Sequence, residues 1–110
     1  MGVRAASPLD RTLAALADPQ RRQVVDLLSS GPKPAGDLAR VVGITPPAMS
    51  RHLKVLKDSG LVEDSHPPFD ARVRIYALRA EPMVHLIQWL EATEQMWGAQ
   101  LLALKAHVEG

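Results

Sequence analysis

The sequence predicts a mainly α fold carrying one small β-hairpin, and three observations predict it. Apolar residues recur at helical spacing along most of the chain, in stretches bounded by Asp-Pro, Gly or Thr-Pro signals. One region, Leu61 to Leu78, breaks that rhythm with two short strand-like runs around His66-Pro67-Pro68-Phe69-Asp70. Aromatic residues are only 4% of the chain against 46% hydrophobic. The core is therefore built from Leu, Val, Ile, Ala and Met, as is usual where helix packs on helix. The length of 110 residues fits one domain, 1–110, and leaves no room for two.

Each element has its own reason. Leu9 to Ala17 reads as a short helix with Leu9, Leu13 and Leu16 on one face. Asp18-Pro19 restarts the chain: Asp18 can accept the first free backbone N–H groups, and Pro19 suits the first helical position. The helix that follows turns Val24, Val25, Leu27 and Leu28 inward and stops at Ser29-Ser30-Gly31-Pro32. Lys33-Pro34 is a brief extended link. Ala35 to Val42 is a helix with Leu38, Val41 and Val42 apolar, ended by Gly43 as a left-handed cap. Thr45 caps the next helix, which runs from Pro46 to about Ser59, buries Met49, Leu53 and Leu56, and ends at Gly60. Leu61 to Ser65 and Arg72 to Leu78 are strands, and the two prolines between them cannot continue a ladder. Glu81-Pro82 opens the longest helix, to about Val108. This order is a winged helix-turn-helix with extra N- and C-terminal helices: second helix of the helix-turn-helix 46–59, wing hairpin 61–78 and terminal helix 82–108.

Composition removes several classes of function. Without cysteine there is no disulfide framework, no thiolate zinc site and no cysteine nucleophile. Met1 to Asp10 has no apolar signal region, and Ala6 stands where a myristoylation motif needs Ser or Thr. No apolar run reaches the roughly 18 residues of a membrane helix. The expectation is a cytoplasmic protein. Net charge is +1, but its distribution is uneven. From Lys33 to Arg79 there are eight Lys/Arg against five Asp/Glu, and from Ala80 to Gly110 one Lys against four Glu. A basic centre faces polyanions, and an acidic tail has another task.

The functional centre is the pair of helices joined by Val42-Gly43-Ile44, where the first braces the second. Pro47, Ser50, Arg51 and Lys54 lie opposite Met49, Leu53 and Leu56, with Lys57 one turn on. Arg suits guanine O6 and N7 in a major groove, Ser suits bases or phosphate, and Lys suits phosphate. By spacing alone the same face reads equally as the solvated side of an amphipathic helix.

At these residues the chain resembles a family. Leu16-Ala17-Asp18-Pro19-Gln20-Arg21-Arg22, then Ala48-Met49-Ser50-Arg51-His52-Leu53-Lys54-Val55-Leu56-Lys57 with Gly60-Leu61-Val62, resemble the ArsR-like winged-helix repressors, and Arg74-Ile75-Tyr76-Ala77-Leu78 fits their wing strand. The resemblance runs from about residue 10 to residue 108. It implies a repressor that partners double-stranded DNA and a second copy of itself, not a membrane, with the recognition helix at Pro46 to Ser59. The residues it puts at DNA are Thr45, Pro47, Ser50, Arg51, His52, Lys54, Lys57, Arg72 and Arg74. The wing departs from the family pattern of Gly and basic residues at its tip. Here the tip is Pro67-Pro68-Phe69-Asp70. Phe69 is expected to pack under the hairpin, the alternative being contact with the sugar face of a minor groove.

The terminal helix has two apolar stripes. Val84, Ile87, Leu90, Trp97, Leu101, Leu104 and Val108 form one, and Leu86, Trp89, Met96 and Ala103 the other. A surface helix needs one. One stripe is expected on the helix's own domain and one on a partner subunit, with Leu9, Leu13, Leu86, Trp89, Met96, Trp97 and Leu101 at the interface. The alternative is a helix sunk in its own core. Metal binding is not expected, nor any cofactor. His85 and His107 lie about six turns apart with Glu91 and Glu94 between, too far to share an ion on one helix, and Trp89 and Trp97 resemble the metal-independent branch, so the effector stays unknown. His52 and His66 read as phosphate-contacting or solvated. Nor is an enzyme expected. There is no Gly-rich phosphate loop, HExxH or nucleophile elbow, and Ser50 and His52 point about 200 degrees apart on a helix. Two alternatives remain: a winged-helix interaction module without DNA binding, which would want an acidic or apolar recognition face, and a repressor answering to a metal held without thiolates between subunits.

Overall fold

The computed structural model describes residues 7–109. The N-terminal readings at Met1 to Ala6 therefore lie outside the described residues, as does Gly110. Along the chain the elements are α1 (Pro8–Leu16), α2 (Pro19–Leu28), β1 (Lys33–Pro34), α3 (Ala35–Val42), α4 (Pro46–Asp58), β2 (Val62–Ser65), β3 (Ile75–Leu78) and α5 (Ala80–Glu109). The fold is mainly α with a small sheet, the winged helix-turn-helix arrangement.

Local chemistry sets the boundaries. Ser7 and Asp10 form a reciprocal capping box at the start of α1, each side chain accepting from the other's backbone N–H at 3.1 Å. Asp18 accepts from the N–H groups of Gln20 and Arg21 at 2.8 and 3.1 Å, and Pro19 opens α2. Those bonds, that of Arg21 first, hold the Asp18 carboxyl below its ordinary range. Gly43 closes α3 in the left-handed region at φ 80, its N–H reaching Ala39 O at 2.9 Å. Gly60, at φ 82, ends α4 in the same way, and Leu61 N–H returns to Leu56 O at 3.0 Å. Leu61 is thus spent on the helix cap, and β2 begins one residue later than the hydrophobic pattern suggests.

The sheet holds a strand that the sequence pattern conceals. Lys33–Pro34 pairs antiparallel with β3, so the order is β1-β3-β2 rather than a bare hairpin. Two residues carry no period-2 signal, and Pro34 lacks an N–H. The link is nonetheless an edge strand because its partner supplies the register, Lys33 opposite Tyr76 and Pro34 opposite Ile75. Strand β3 is shorter than the run Arg72 to Leu78, since Ala71–Arg74 bends into the wing loop.

The core joins Ala15, Val24, Leu28, Leu38, Ala39, Met49, Leu53, Leu56, Leu61, Val62 and Tyr76. Helix α5 contributes no buried residue to it. The expectation that one apolar stripe of α5 packs on its own domain fails. Contact is confined to the helix start: Met83 touches the core edge, Arg79 N–H donates to Leu61 O at 2.9 Å, and α1 is the main helix alongside. Val84, Ile87, Leu90, Trp97, Leu101, Leu104 and Val108 are all exposed. The radius of gyration is 17.5 Å, against about 13 Å for a compact domain of this size. A 30-residue helix about 45 Å long simply outruns a domain that small. Among the described residues no helix is long and apolar enough to cross a membrane.

The core is tight, so one deletion within it is informative. Leu56 of α4 is completely buried in the core cluster. Leu56→Ala is expected to lower unfolding stability by about 2–5 kcal/mol, read by urea denaturation. Val41→Ala, on the exposed side of α3, should change it by less than about 0.5 kcal/mol.

Candidate nucleic-acid interface

Helix α4 is fixed at both ends and along one side. The Thr45 hydroxyl accepts from Ala48 N–H at 3.3 Å, Pro46 takes the first position, and Gly60 ends it. Met49, Leu53 and Leu56 are buried on its inner side, where α3, α2 and β2 pack. The α3–α4 junction is the turn of a helix-turn-helix. What stays in solvent is Thr45, Pro47, Ser50, Arg51, Lys54 and Lys57, all exposed. Ser50 and Arg51 have side chains with no hydrogen-bond or ion-pair partner among the described residues. Lys54 leans on Asp58 one turn away at 2.9 Å, both largely in water, so that pair holds it weakly.

His52 does not belong to this face. At 100 degrees per residue it sits about 100 degrees from Arg51 and only about 40 degrees from Leu56. The half-buried ring lies against α2, with Nε2 2.8 Å from Gln20 Oε1 and Nδ1 3.5 Å from Arg21 Nη1. Arg21 continues the chain of contacts, donating to Ala15 O at 2.7 Å and Ala14 O at 3.3 Å. The helical wheel alone would have separated His52 from the exposed set. Gln20 and Arg21 as its partners have no signal in local spacing.

Lys57 and Arg74 are drawn together by a residue the sequence reading passed over. Asp64 in β2 takes Lys57 Nζ at 2.8 Å on one oxygen and the Arg74 guanidinium on the other. The carboxylate side chain is only 10% exposed. The hydrogen bond from Lys57 and then that from Arg74 hold its pKa below the usual range, against desolvation. The strand alternation that buries Val62 turns Asp64 to the same side, which was the available clue.

Residues 18–64 match the family model described as bacterial regulatory protein, arsR family. The chain is 48% identical over 69 residues to the HTH-type transcriptional regulator Rv2034 of Mycobacterium tuberculosis, covering 63% of this chain and 62% of that one, so the match spans less than two thirds of that relative. It is 30% identical over 82 residues to the transcriptional repressor SdpR of Bacillus subtilis, covering 74% and 88%. The chain belongs to the arsR family. In structure it is similar to the homodimeric winged helix-turn-helix DNA-binding domain of Mb0332 from Mycobacterium bovis, with a TM-score of 0.63, 26% identity and 83% of each chain covered.

The structure corrects the reading of the wing. Phe69 is 90% exposed at the tip instead of packed beneath the hairpin. The tip is a turn held by Asp70 N–H to Pro67 O and Val73 N–H to Asp70 O, each at 3.3 Å, which leaves no apolar pocket for the ring. Arg72, in the turn that follows the tip, is exposed and paired with Asp70 at 3.2 Å. His66 is spent on the loop as well, with Nδ1 2.9 Å from Val73 O. The wing therefore brings Arg72 but not Arg74 out as a loosely held cation. The expected interface residues of the terminal helices divide similarly: Leu9 and Leu86 are half-buried, while Leu13, Trp89, Met96, Trp97 and Leu101 are exposed. Among the described residues no cluster of three or more His, Cys, Asp or Glu could hold a metal ion.

Asp64 gives the site a measurable pH signature. Its lowered pKa means the carboxylate stabilises the fold above the unfolded-state value, about 3.9, and that contribution is lost as pH falls through the lower folded value. Asp64→Asn should cost about 1–2 kcal/mol at neutral pH, a figure discounted because Lys57 and Arg74 are half in solvent. In acid unfolding series the gap to wild type should start to narrow at about pH 4 and close as pH falls through the lower folded value. A gap that persists at low pH would place the stabilisation elsewhere.

Proposed function

We propose that this chain is a homodimeric repressor that carries out no chemistry and reads an inverted-repeat operator through the outer face of α4. The observation that carries the reading is Arg51: exposed, without a partner among the described residues, on a helix whose opposite side is buried and whose ends are capped. Such a side chain reaches a guanine edge without first breaking a contact, while the rigid helix sets its direction. Ser50 and Pro47 flank it. Thr45, at the helix start, and Lys54 take phosphates, with Arg72 of the wing beside them. Lys57 and Arg74 support the wing through Asp64 and touch DNA only at the edge of this surface. His52 acts behind the face rather than on it.

Dimerisation is supported by α5. A helix with Trp89, Met96, Trp97 and Leu101 in solvent presents the kind of contiguous apolar surface that monomers avoid. A second copy related by a two-fold axis covers it with its own α5, and Leu9 and Leu13 of α1 join at the side. The homodimeric state of the Mb0332 domain and the repressor role of SdpR point the same way. Two recognition helices then face successive major grooves, about 34 Å apart. Duplex selection from a random pool should return a palindromic consensus, and a consensus without two-fold symmetry would overturn the reading.

Two sets of variants follow. Arg51→Ala should lose about 1–3 kcal/mol on the selected operator and much less on random duplex. Lys54→Ala should weaken both alike and lower the salt slope of log K by about one. Equal losses for Arg51→Ala on both duplexes would make it a phosphate contact.

Met96, 78% exposed, tests the dimer. Met96→Glu places like charges near the axis and should give a folded monomer with sharply weaker operator binding. Sedimentation decides it: a wild-type monomer at micromolar concentration, or a Met96→Glu dimer of normal affinity, would move the interface elsewhere.

A further inference from the structure

We propose that His52 is a positioning residue that latches the recognition helix α4 to α2, and that the latch closes only when the ring is neutral and carries its proton on Nε2. The inference rests on the DNA-binding reading of α4 for its functional consequence and on hydrogen-bond chemistry for its geometry. A guanidinium can only donate. Arg21 Nη1 faces Nδ1 at 3.5 Å, so Nδ1 is the accepting nitrogen. The ring proton is then on Nε2, which donates to Gln20 Oε1 at 2.8 Å. The same logic fixes the Gln20 amide, because its NH2 group turned toward Nε2 would leave two donors facing each other.

Protonation adds a hydrogen on Nδ1 that points at Arg21. Attraction becomes repulsion between like charges, and Arg21 cannot easily withdraw while it is held by Ala15 O and Ala14 O. The other charged groups around the ring modulate this. Asp18 on α2 interacts electrostatically with both His52 and Arg21. Arg11 of α1 and Asp58 of α4 line the groove that Arg21 borders. On α4 itself, Arg51 and Lys54 face away into solvent. Gln20 and Arg21 sit in the first turn of α2, which Asp18 caps, so opening the latch frees α4 from the fixed end of its neighbour.

The consequence has a sign opposite to plain electrostatics. Added positive charge tightens binding to a polyanion. An opened latch loosens the orientation of α4, so binding weakens on acidification. An imidazole changes charge within about pH 5–8, which sets the range to scan.

Two readouts on the full chain test the proposal. In ring nitrogen NMR of the free protein at about pH 8, the signal lost in His52→Gln should show a protonated Nε2 whose hydrogen exchanges slowly, and Gln20→Ala should speed that exchange. A ring protonated on Nδ1, or an Nε2 proton indifferent to Gln20→Ala, overturns the latch. The second readout is affinity for a duplex selected by the wild type, followed from about pH 8 to about pH 5.5 at fixed salt. Wild type should weaken by on the order of tenfold relative to His52→Gln, which retains a donor and an acceptor but does not titrate, while His66, His85 and His107 are common to both. His52→Ala should bind more weakly throughout, with His52→Gln restoring affinity at high pH. Parallel pH profiles for wild type and His52→Gln overturn the proposal. If the wild type retains no duplex at all, the DNA-binding reading of α4 falls, and the ring spectrum alone judges the latch.

Discussion

Met49, Leu53 and Leu56 turn one side of α4 into the core, and the placement of every candidate contact on that helix follows from the burial. Their spacing leaves an arc for solvent on which Ser50, Arg51 and Lys54 lie. The helices behind are fixed by the same contacts, since Val24 and Leu28 of α2 and Leu38 of α3 belong to one cluster with them. A recognition helix must be rigid before its side chains can discriminate between bases, because a mobile arginine would give up in ordering much of what it gains in contact. Here rigidity comes from the inner side and the caps, and the outer side is left to solvent.

Legibility in the sequence followed the range of the interaction. Thr45, Gly43, Gly60 and Asp18-Pro19 announce helix ends because capping acts over one to four residues. The inner and outer sides of α4 are legible because the helical period is local too. β1 was not, since Lys33-Pro34 becomes a strand only through β3, some forty positions on. His52 was legible by angle but not by partner, as Gln20 and Arg21 lie more than thirty residues earlier. Phe69 misled for a different reason: aromatic character suggests burial, yet a tip made of Pro67, Pro68 and a turn on Asp70 has nothing to bury it against.

Helix α5 shows the limit of reading burial from pattern. Two apolar stripes were visible and called for two partners, but the domain has too little surface to cover even one beyond the first turns. The buried set ends with Tyr76, and Met83 is the last apolar residue packed against it. From Val84 onward the apolar side chains wait for cover from outside the chain. The extended shape and the apolar sequence are therefore one fact: a helix this long and this hydrophobic leaves in solvent a contiguous apolar surface of the kind that usually marks an interaction site.

The five candidate cations of α4 and the wing fall into two groups, and the acids beside them decide which. Among the described residues Arg51 has no carboxylate to leave, and Lys54 and Arg72 are paired with acids through exposed, weak contacts that water or a phosphate replaces at little cost. Lys57 and Arg74 share a carboxylate that is nearly out of water. Drawing either away would leave Asp64 desolvated and under-compensated beside the phosphate backbone, a penalty larger than a surface phosphate contact returns. Residue type and spacing made all five look equivalent. The difference lies in one acid on β2, which ties two cations between the wing and α4 and leaves the other three unpaired or loosely paired in solvent.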